Sequence, residues 1–202
     1  MDRVRMNRID ATFHRLRENQ TKAFVAYVAA GDPGFEPSLD IIRAIADAGA
    51  DVIELGLPFS DPLADGIVNQ LAAERALKAG MTTARCLDLI RAFRETHDTP
   101  IVLFTYLNPV FTYGYDDFHR DAAAAGADGI LLLDLPPDEA ARNTEFARSE
   151  GLCHIRLIAP TTPEKRVAFL AKDADGFIYA LSRTGVTGAH GAPSDQIAAQ
   201  VA

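Results

Sequence analysis

Ile53-Glu-Leu-Gly-Leu-Pro-Phe-Ser-Asp-Pro-Leu-Ala-Asp-Gly66 begins as a strand and ends as a loop. The run Asp51-Val-Ile-Glu-Leu55 has β character, and the Gly, Pro and Asp residues after it break the strand. Glu54 therefore stands near a strand end, with Asp65 in the loop that follows. Two carboxylates near the C-terminal edge of one strand can serve as a proton-transfer pair. In an α/β barrel that edge carries the active site.

Outward from this stretch the chain alternates. Residues 2–19 are charged, with apolar points at Val4, Ile9, Phe13 and Leu16, which is helical spacing. Residues 24–30 form an apolar strand that ends in Gly-Asp-Pro-Gly. Leu39, Ile42, Ile45 and Gly49 mark a helical face before the strand at 51–55. Helices are predicted over 70–79 and 83–96, separated by Gly80, then a strand over 101–106 and a helix over 115–125. A strand at 129–133, a helix over 137–150 stopped by Gly151, and a strand at 153–158 follow. Thr162-Pro-Glu164 predicts a capped helix start. A sixth strand spans 176–181, and a Gly-rich loop over 182–193 leads to a helix capped by Ser194 or Asp195. Ala48-Gly-Ala-Asp51 and Ala125-Gly-Ala-Asp128 repeat a helix-to-strand joint, with Asp173-Ala-Asp-Gly176 a looser copy.

Composition narrows the class. The 202 residues suffice for one large domain, read as spanning 1–202. A net charge of −8 argues against nucleic acid or an anionic membrane as main partner. No apolar run approaches the roughly 20 residues of a membrane span. The N-terminal Met-Asp-Arg-Val-Arg-Met-Asn-Arg has no apolar core after its charges and reads as no secretion signal. Cys86 and Cys153 stand in no motif and are expected to be buried free thiols of a cytoplasmic protein.

Strands that are apolar with little alternation, separated by helices, imply a parallel α/β sheet covered on both faces. Two architectures compete. Length favours a doubly wound open sheet, because a (β/α)8 barrel typically needs about 250 residues. The first turn lacks the G-x-G-x-x-G of a dinucleotide fold, however, and candidate polar groups end several different strands, as in a barrel.

Glu54 sits between Ile53 and Leu55, where a carboxylate is costly unless paired or protonated. Desolvation would raise its pKa and suit it to acid–base work near neutral pH. The alternative is a strand-end Glu that caps a neighbouring helix or holds an ion pair. Asp65 before Gly66, and Asp61 between Ser60 and Pro62, also read as turn residues. Asp134 ends the fourth strand as an active-site acid or a helix-entry residue. Tyr106 and Tyr27 are pocket walls or core. Tyr179, in the sixth strand, joins the candidate substrate-binding set. The loop Leu181-Ser-Arg-Thr-Gly-Val-Thr-Gly188 offers backbone N–H groups to an anion, with Arg183 as a cation, or is simply flexible. None of the four lysines, Lys22, Lys78, Lys165 and Lys172, ends a strand, which disfavours a Schiff base. The five histidines show no close metal-ligand pairing, so no metal is expected.

Glu54-Leu-Gly-Leu-Pro-Phe-Ser-Asp-Pro-Leu-Ala-Asp-Gly66 closely resembles the signature of the tryptophan synthase alpha subunit family. The resemblance extends in order through Ala30-Gly-Asp-Pro-Gly34, Tyr106-Leu-Asn-Pro109, Asp134-Leu-Pro136 and Ser182-Arg-Thr-Gly-Val-Thr-Gly188. It implies a TIM barrel, of which about six βα units fall in this chain, and retro-aldol cleavage of indole-3-glycerol phosphate to indole and glyceraldehyde 3-phosphate. By the same resemblance Glu54 is the acid–base residue and Asp65 holds the indole N–H. Tyr27, Tyr106 and Leu131 line the indole pocket, Thr187 bonds to Asp65 on loop closure, and Gly188 donates to the phosphate. No cofactor is implied in this chain. Pyridoxal phosphate belongs to a beta subunit, the partner in a heterotetramer, which would be faced by loops 57–69 and 182–193. Ile67 departs from the family's usual Pro, and the chain stops at Ala202, inside the sixth helix, as a C-terminally truncated member would. Two other readings remain at this stage: a catalytically weak module that binds the beta subunit, and another phosphate-binding barrel enzyme such as a sugar-phosphate isomerase.

Overall fold

A computed structural model describes residues 6–136, 139–172 and 174–182. The loop residues from 183 onward and the helix expected after them lie outside these. Helix α1 (Arg8–Glu18) precedes β1 (Val25–Ala29), α2 (Phe35–Asp47), β2 (Val52–Gly56), α3 (Ile67–Lys78) and α4 (Thr83–Arg94). Then come β3 (Ile101–Thr105), α5 (Leu107–Tyr113), α6 (Tyr115–Ala125), β4 (Gly129–Leu132) and α7 (Ala140–Ser149). The described chain continues through β5 (Cys153–His154), β6 (Arg156–Ile158), α8 (Glu164–Lys172) and β7 (Ile178–Ala180).

All described pairings are parallel, in the order β1-β2-β3-β4-β5, with β6 paired to β7. The strand expected over 153–158 is one extended segment that changes neighbours. Cys153 and His154 pair with β4, Ile155 N–H donates to Ile130 O at 3.0 Å, and Arg156 to Ile158 pair with β7. Such a stagger is what a curving parallel sheet requires as it coils towards a barrel.

Two cores follow from strict alternation. Ile53, Leu55, Ile101, Leu103, Ile130 and Leu132 face outward onto helical side chains such as Ile42, Leu87, Phe93 and Phe118. Val52, Val102, Leu131, Cys153 and Ile155 face inward with Phe104, Leu157, Phe177 and Tyr179. Both faces are therefore buried, which explains why the strands read as apolar runs. Cys86 and Cys153 are buried and free, and burial pushes both thiols up to about 12.

The repeated joints explain how the floor of the sheet is built. Asn7 caps α1 by accepting Ile9 N–H and donates to the carbonyls of Asp128 and Gly151 at 2.8 and 2.9 Å. Helix α1 thus starts at Arg8, later than its charge pattern implied. Asp128 accepts Ile101 N–H at the start of β3 and pairs with Arg8 at 2.9 Å and Arg94 at 2.6 Å. Asp51, from the first copy, accepts Phe24 N–H before β1 and pairs with Arg15 at 3.1 Å. Asp175 pairs with Arg148. Ile9, fully buried, plugs the floor, where a Cβ on Gly129 or Gly176 would meet its side chain at 3.1 or 3.0 Å.

Two local expectations are corrected. Helix α5 has no counterpart among the elements that the sequence predicts, which pass from the strand at 101–106 to the helix at 115–125. Pro109 lies in the first turn of α5, where backbone N–H groups lack helical partners and proline costs little. Thr162 does not cap α8. Its hydroxyl accepts Ala159 N–H at 2.9 Å, closing the preceding turn, while Pro163 O accepts from Arg166 and Val167.

Candidate active site

Strand β2 places Glu54 on the inner face, two residues from its C-terminal end. Alternation puts Ile53 and Leu55 outside and Glu54 inside. Only 4% of it is exposed, and among the described residues its Oε1 meets no hydrogen-bond donor. Burial alone pushes its carboxyl up from 4.5 to about 7. The ion-pair and helix-cap alternatives for Glu54 find no support in these contacts.

Asp65 reaches the same region from the loop. It is buried, and its Oδ2 accepts the Tyr106 hydroxyl at 2.8 Å. Tyr106 Oη in turn accepts Ala64 N–H at 3.0 Å, and its ring packs on Phe59, 5.4 Å between centroids. One phenol at the end of β3 thus fastens the loop after β2. Gln70 Nε2 donates to the Asp65 carbonyl at 2.8 Å, anchoring the loop to the first turn of α3. Asn69 stands 3.5 Å from Oδ1, too long for a strong bond. Oδ1 is therefore the more weakly bound of the two oxygens.

The two carboxyls share a neighbour. The Tyr27 phenol, paired in register with Glu54, is pushed up by burial and then by the charges of Asp65 and Glu54. Tyr179 is likewise pushed up by burial and by Glu54. Tyr27 thus borders both acids, Tyr106 borders Asp65 and Tyr179 borders Glu54, with Phe104 between Tyr27 and Tyr179. Leu131, fully buried, pairs with Phe104 in the β3–β4 register. Asp134 is exposed and takes a helix-entry role, but for α5: its Oδ1 accepts Leu107 N–H at 2.7 Å. Asp61 binds Ser60, as a turn residue does. Arg183, Thr187 and Gly188 lie outside the described residues. Among the described residues, no group of three or more His, Cys, Asp or Glu side chains is placed to hold a metal.

The sequence profile of the tryptophan synthase alpha chain family matches residues 13–202. The chain belongs to the tryptophan synthase alpha chain family. The alpha chain of Desulfosudis oleivorans is 49% identical over 193 residues, covering 96% of this chain and 73% of its own length. That of Opitutus terrae is 50% identical over 183 residues, covering 91% of this chain and 69% of its own. The solved structure of tryptophan synthase subunit alpha from Legionella pneumophila str. Paris superposes with a TM-score of 0.84 at 44% identity, covering 87% of this chain and 68% of that one. A Mycobacterium tuberculosis tryptophan synthase structure superposes at 0.89 and 35% identity, covering 97% of this chain and 76% of that one. The sheet is thus part of a TIM-barrel fold, which decides between the two architectures. Membership makes the protein a carbon–carbon lyase of tryptophan biosynthesis, acting on indole-3-glycerol phosphate.

Burial of Glu54 has a cost that stability measurements can read. Between pH 4.5 and about 7 the folded protein holds a proton that the unfolded chain has released. Stability therefore falls as pH rises through that window and levels off above it. From 4.5 to about 7, at about 1.4 kcal/mol per pH unit, the loss is about 3 kcal/mol. Glu54→Gln is expected to be more stable than wild type at pH 8 by up to that amount and equal to it at pH 4. Urea denaturation at the two pH values checks this. A destabilised variant at pH 8 would contradict it.

Proposed function

We propose that Glu54 and Asp65 carry out the retro-aldol cleavage by proton transfer alone. Protonated Glu54 delivers its proton to the indole carbon that bears the glycerol phosphate. Asp65 Oδ1 holds the indole N–H as positive charge develops on the ring. The Glu54 carboxylate then takes the proton of the adjacent side-chain hydroxyl. The carbon–carbon bond breaks, its electron pair returns to the ring, and indole and glyceraldehyde 3-phosphate leave with Glu54 again protonated. The observation that carries this reading is a buried Glu54, its carboxyl raised by burial to about 7, that shares Tyr27 as a neighbour with an Asp65 already fastened through its other oxygen. A group titrating near the working pH can serve as both acid and base in one cycle. The cycle uses no cofactor in this chain, and pyridoxal phosphate is assigned to the partner.

Tyr27, Tyr106, Tyr179 and Leu131 serve as walls for the indole, Thr187 bonds to Asp65 when its loop closes, and Arg183 and Gly188 act on the phosphate side. Asp134 supports the site through α5. The partner is a beta subunit, in a cytoplasmic heterotetramer. Leu63, Ile67 and Val68 are 87%, 65% and 72% exposed around the loop that holds Asp65, an apolar surface suited to that partner. Among the described residues no helix is long and apolar enough to cross a membrane.

Indole release from indole-3-glycerol phosphate, with and without a beta subunit, tests the reading. Beta-subunit binding without any turnover would leave only a docking module. In the same assay Tyr106→Phe is expected to lower kcat/KM by about tenfold or more, since a hydrogen bond to a charged group is worth about 1.5–3 kcal/mol. Unchanged kinetics would remove Tyr106 from the support of Asp65.

A further inference from the structure

Gly56 ends β2 on the inner face, two residues beyond Glu54. A Cβ placed there would fall 2.3 Å from the Tyr27 hydroxyl oxygen and 2.8 and 2.9 Å from two carbons of its ring. The need for glycine at this position is therefore one of space. The Tyr27 side chain leaves β1 opposite Glu54, leans along the sheet towards the mouth, and comes to rest on the β2 backbone. On its other side the Phe104 ring meets it nearly edge-on, with centroids 5.3 Å apart at 73°. Phe104 is also the register neighbour of Gly56 on β3. The phenol is thus held between a backbone that cannot retreat and a ring that is itself packed against Tyr179. It still keeps 36% of its surface exposed, so the core does not enclose it.

We propose that Tyr27 is a specificity-determining residue, whose phenol, seated on Gly56, closes the β1–β2 side of the aromatic cavity and fits it to an indole ring carrying no substituent there. The inference rests on the lyase reading above and deepens it by naming what the site excludes. Relative to phenylalanine, the hydroxyl occupies the space of about one methyl group. Packed protein sites register a change of that size, and one methylene in an apolar pocket discriminates by about 10- to 200-fold.

The test runs the reaction in the direction of synthesis, condensing glyceraldehyde 3-phosphate with indole or with each ring-methylated indole. The readout is kcat/KM for each methylindole relative to indole, in wild type and in Tyr27→Phe. For at least one isomer this ratio is expected to rise by about tenfold or more in the variant. Gly56→Ala is expected to force the phenol into the cavity and lower kcat/KM for indole by about tenfold, with partial recovery when Tyr27→Leu is added. Ratios unchanged for every isomer would overturn the proposal, as would a double variant no better than Gly56→Ala alone. Turnover of indole by wild type in either case would leave the lyase reading intact. Absence of any indole condensation by wild type would overturn both.

Discussion

Glu54→Gln is expected to lower the rate of indole-3-glycerol phosphate cleavage by at least about 10²-fold, the usual range for lost acid–base catalysis being 10²–10⁴. The amide keeps the size of the carboxyl and its place among Ile53, Leu55 and the facing Tyr27, so packing is preserved. What disappears is the ability to give and then take a proton. Because burial alone sets Glu54 near 7, wild-type activity should depend on pH around that value, and the dependence should vanish from the residual activity of the variant. KM should change less than kcat, since Tyr106 and Asp65 remain in place to receive the ring. The measurement is indole release across pH for both proteins. Turnover within a few-fold of wild type would remove Glu54 from the mechanism. The variant's stability at pH 8 guards against a trivial explanation, because it is expected to be better folded than wild type while less active.

The second large effect lies at the opposite end of the sheet. Asp128→Asn is expected to destabilise the fold by about 3–5 kcal/mol, the cost of removing one partner from a buried ion pair. Asp128 is 3% exposed and serves Arg94, Arg8 and the first N–H of β3 at once. Arg94 is only 10% exposed and also donates to the Gly126 and Thr99 carbonyls, which hold it in place. Its pKa is already lowered by burial, so losing the anion leaves a cation in a poor environment. The same change at Asp51 is expected to cost about 1 kcal/mol or less, because Arg15 is 59% exposed and an open pair contributes little. Urea denaturation of both variants checks the contrast. Equal losses would mean that the two copies of the joint do the same job, against the difference in their burial.

These two residues also mark how much was legible beforehand. The joint Ala-Gly-Ala-Asp was visible as a repeat, but its purpose was not, since the partners of Asp128 come from α1, α4 and β3. The order of strands and helices could be read because it depends on neighbours: apolar runs, Gly80 and Gly151 as stops, and Pro and Asp as breakers. Helix α5 escaped because Asn108-Pro109 gives the same local signal in a turn and in a first helical turn. The 153–158 strand was found as a strand, but its change of partner at Ile155 depends on the coiling of the whole sheet. Asp134 reads from its position as an active-site acid or a helix-entry residue, and the N–H it accepts opens α5 and not the helix that follows it.

For the site, Glu54 announced itself by a carboxylate inside an apolar strand, and Asp65 by its place in the loop beyond. The bond from Tyr106 to Asp65 spans 41 residues, and no pattern in either segment predicts it. The seat of Tyr27 on Gly56 was equally silent, because a glycine after Leu55 reads as a strand end. By itself, then, the sequence determined the alternation of elements and the family, and singled out the two acids as candidates, all of which rests on interactions between residues close along the chain or on chemistry carried by residue type. Only the tertiary structure decided which oxygen of Asp65 takes the Tyr106 hydroxyl, that burial raises the Glu54 carboxyl, and that the Tyr27 phenol rests on Gly56. Desolvation and steric contact are sums over atoms brought together by folding, and neither is written in the order of the residues.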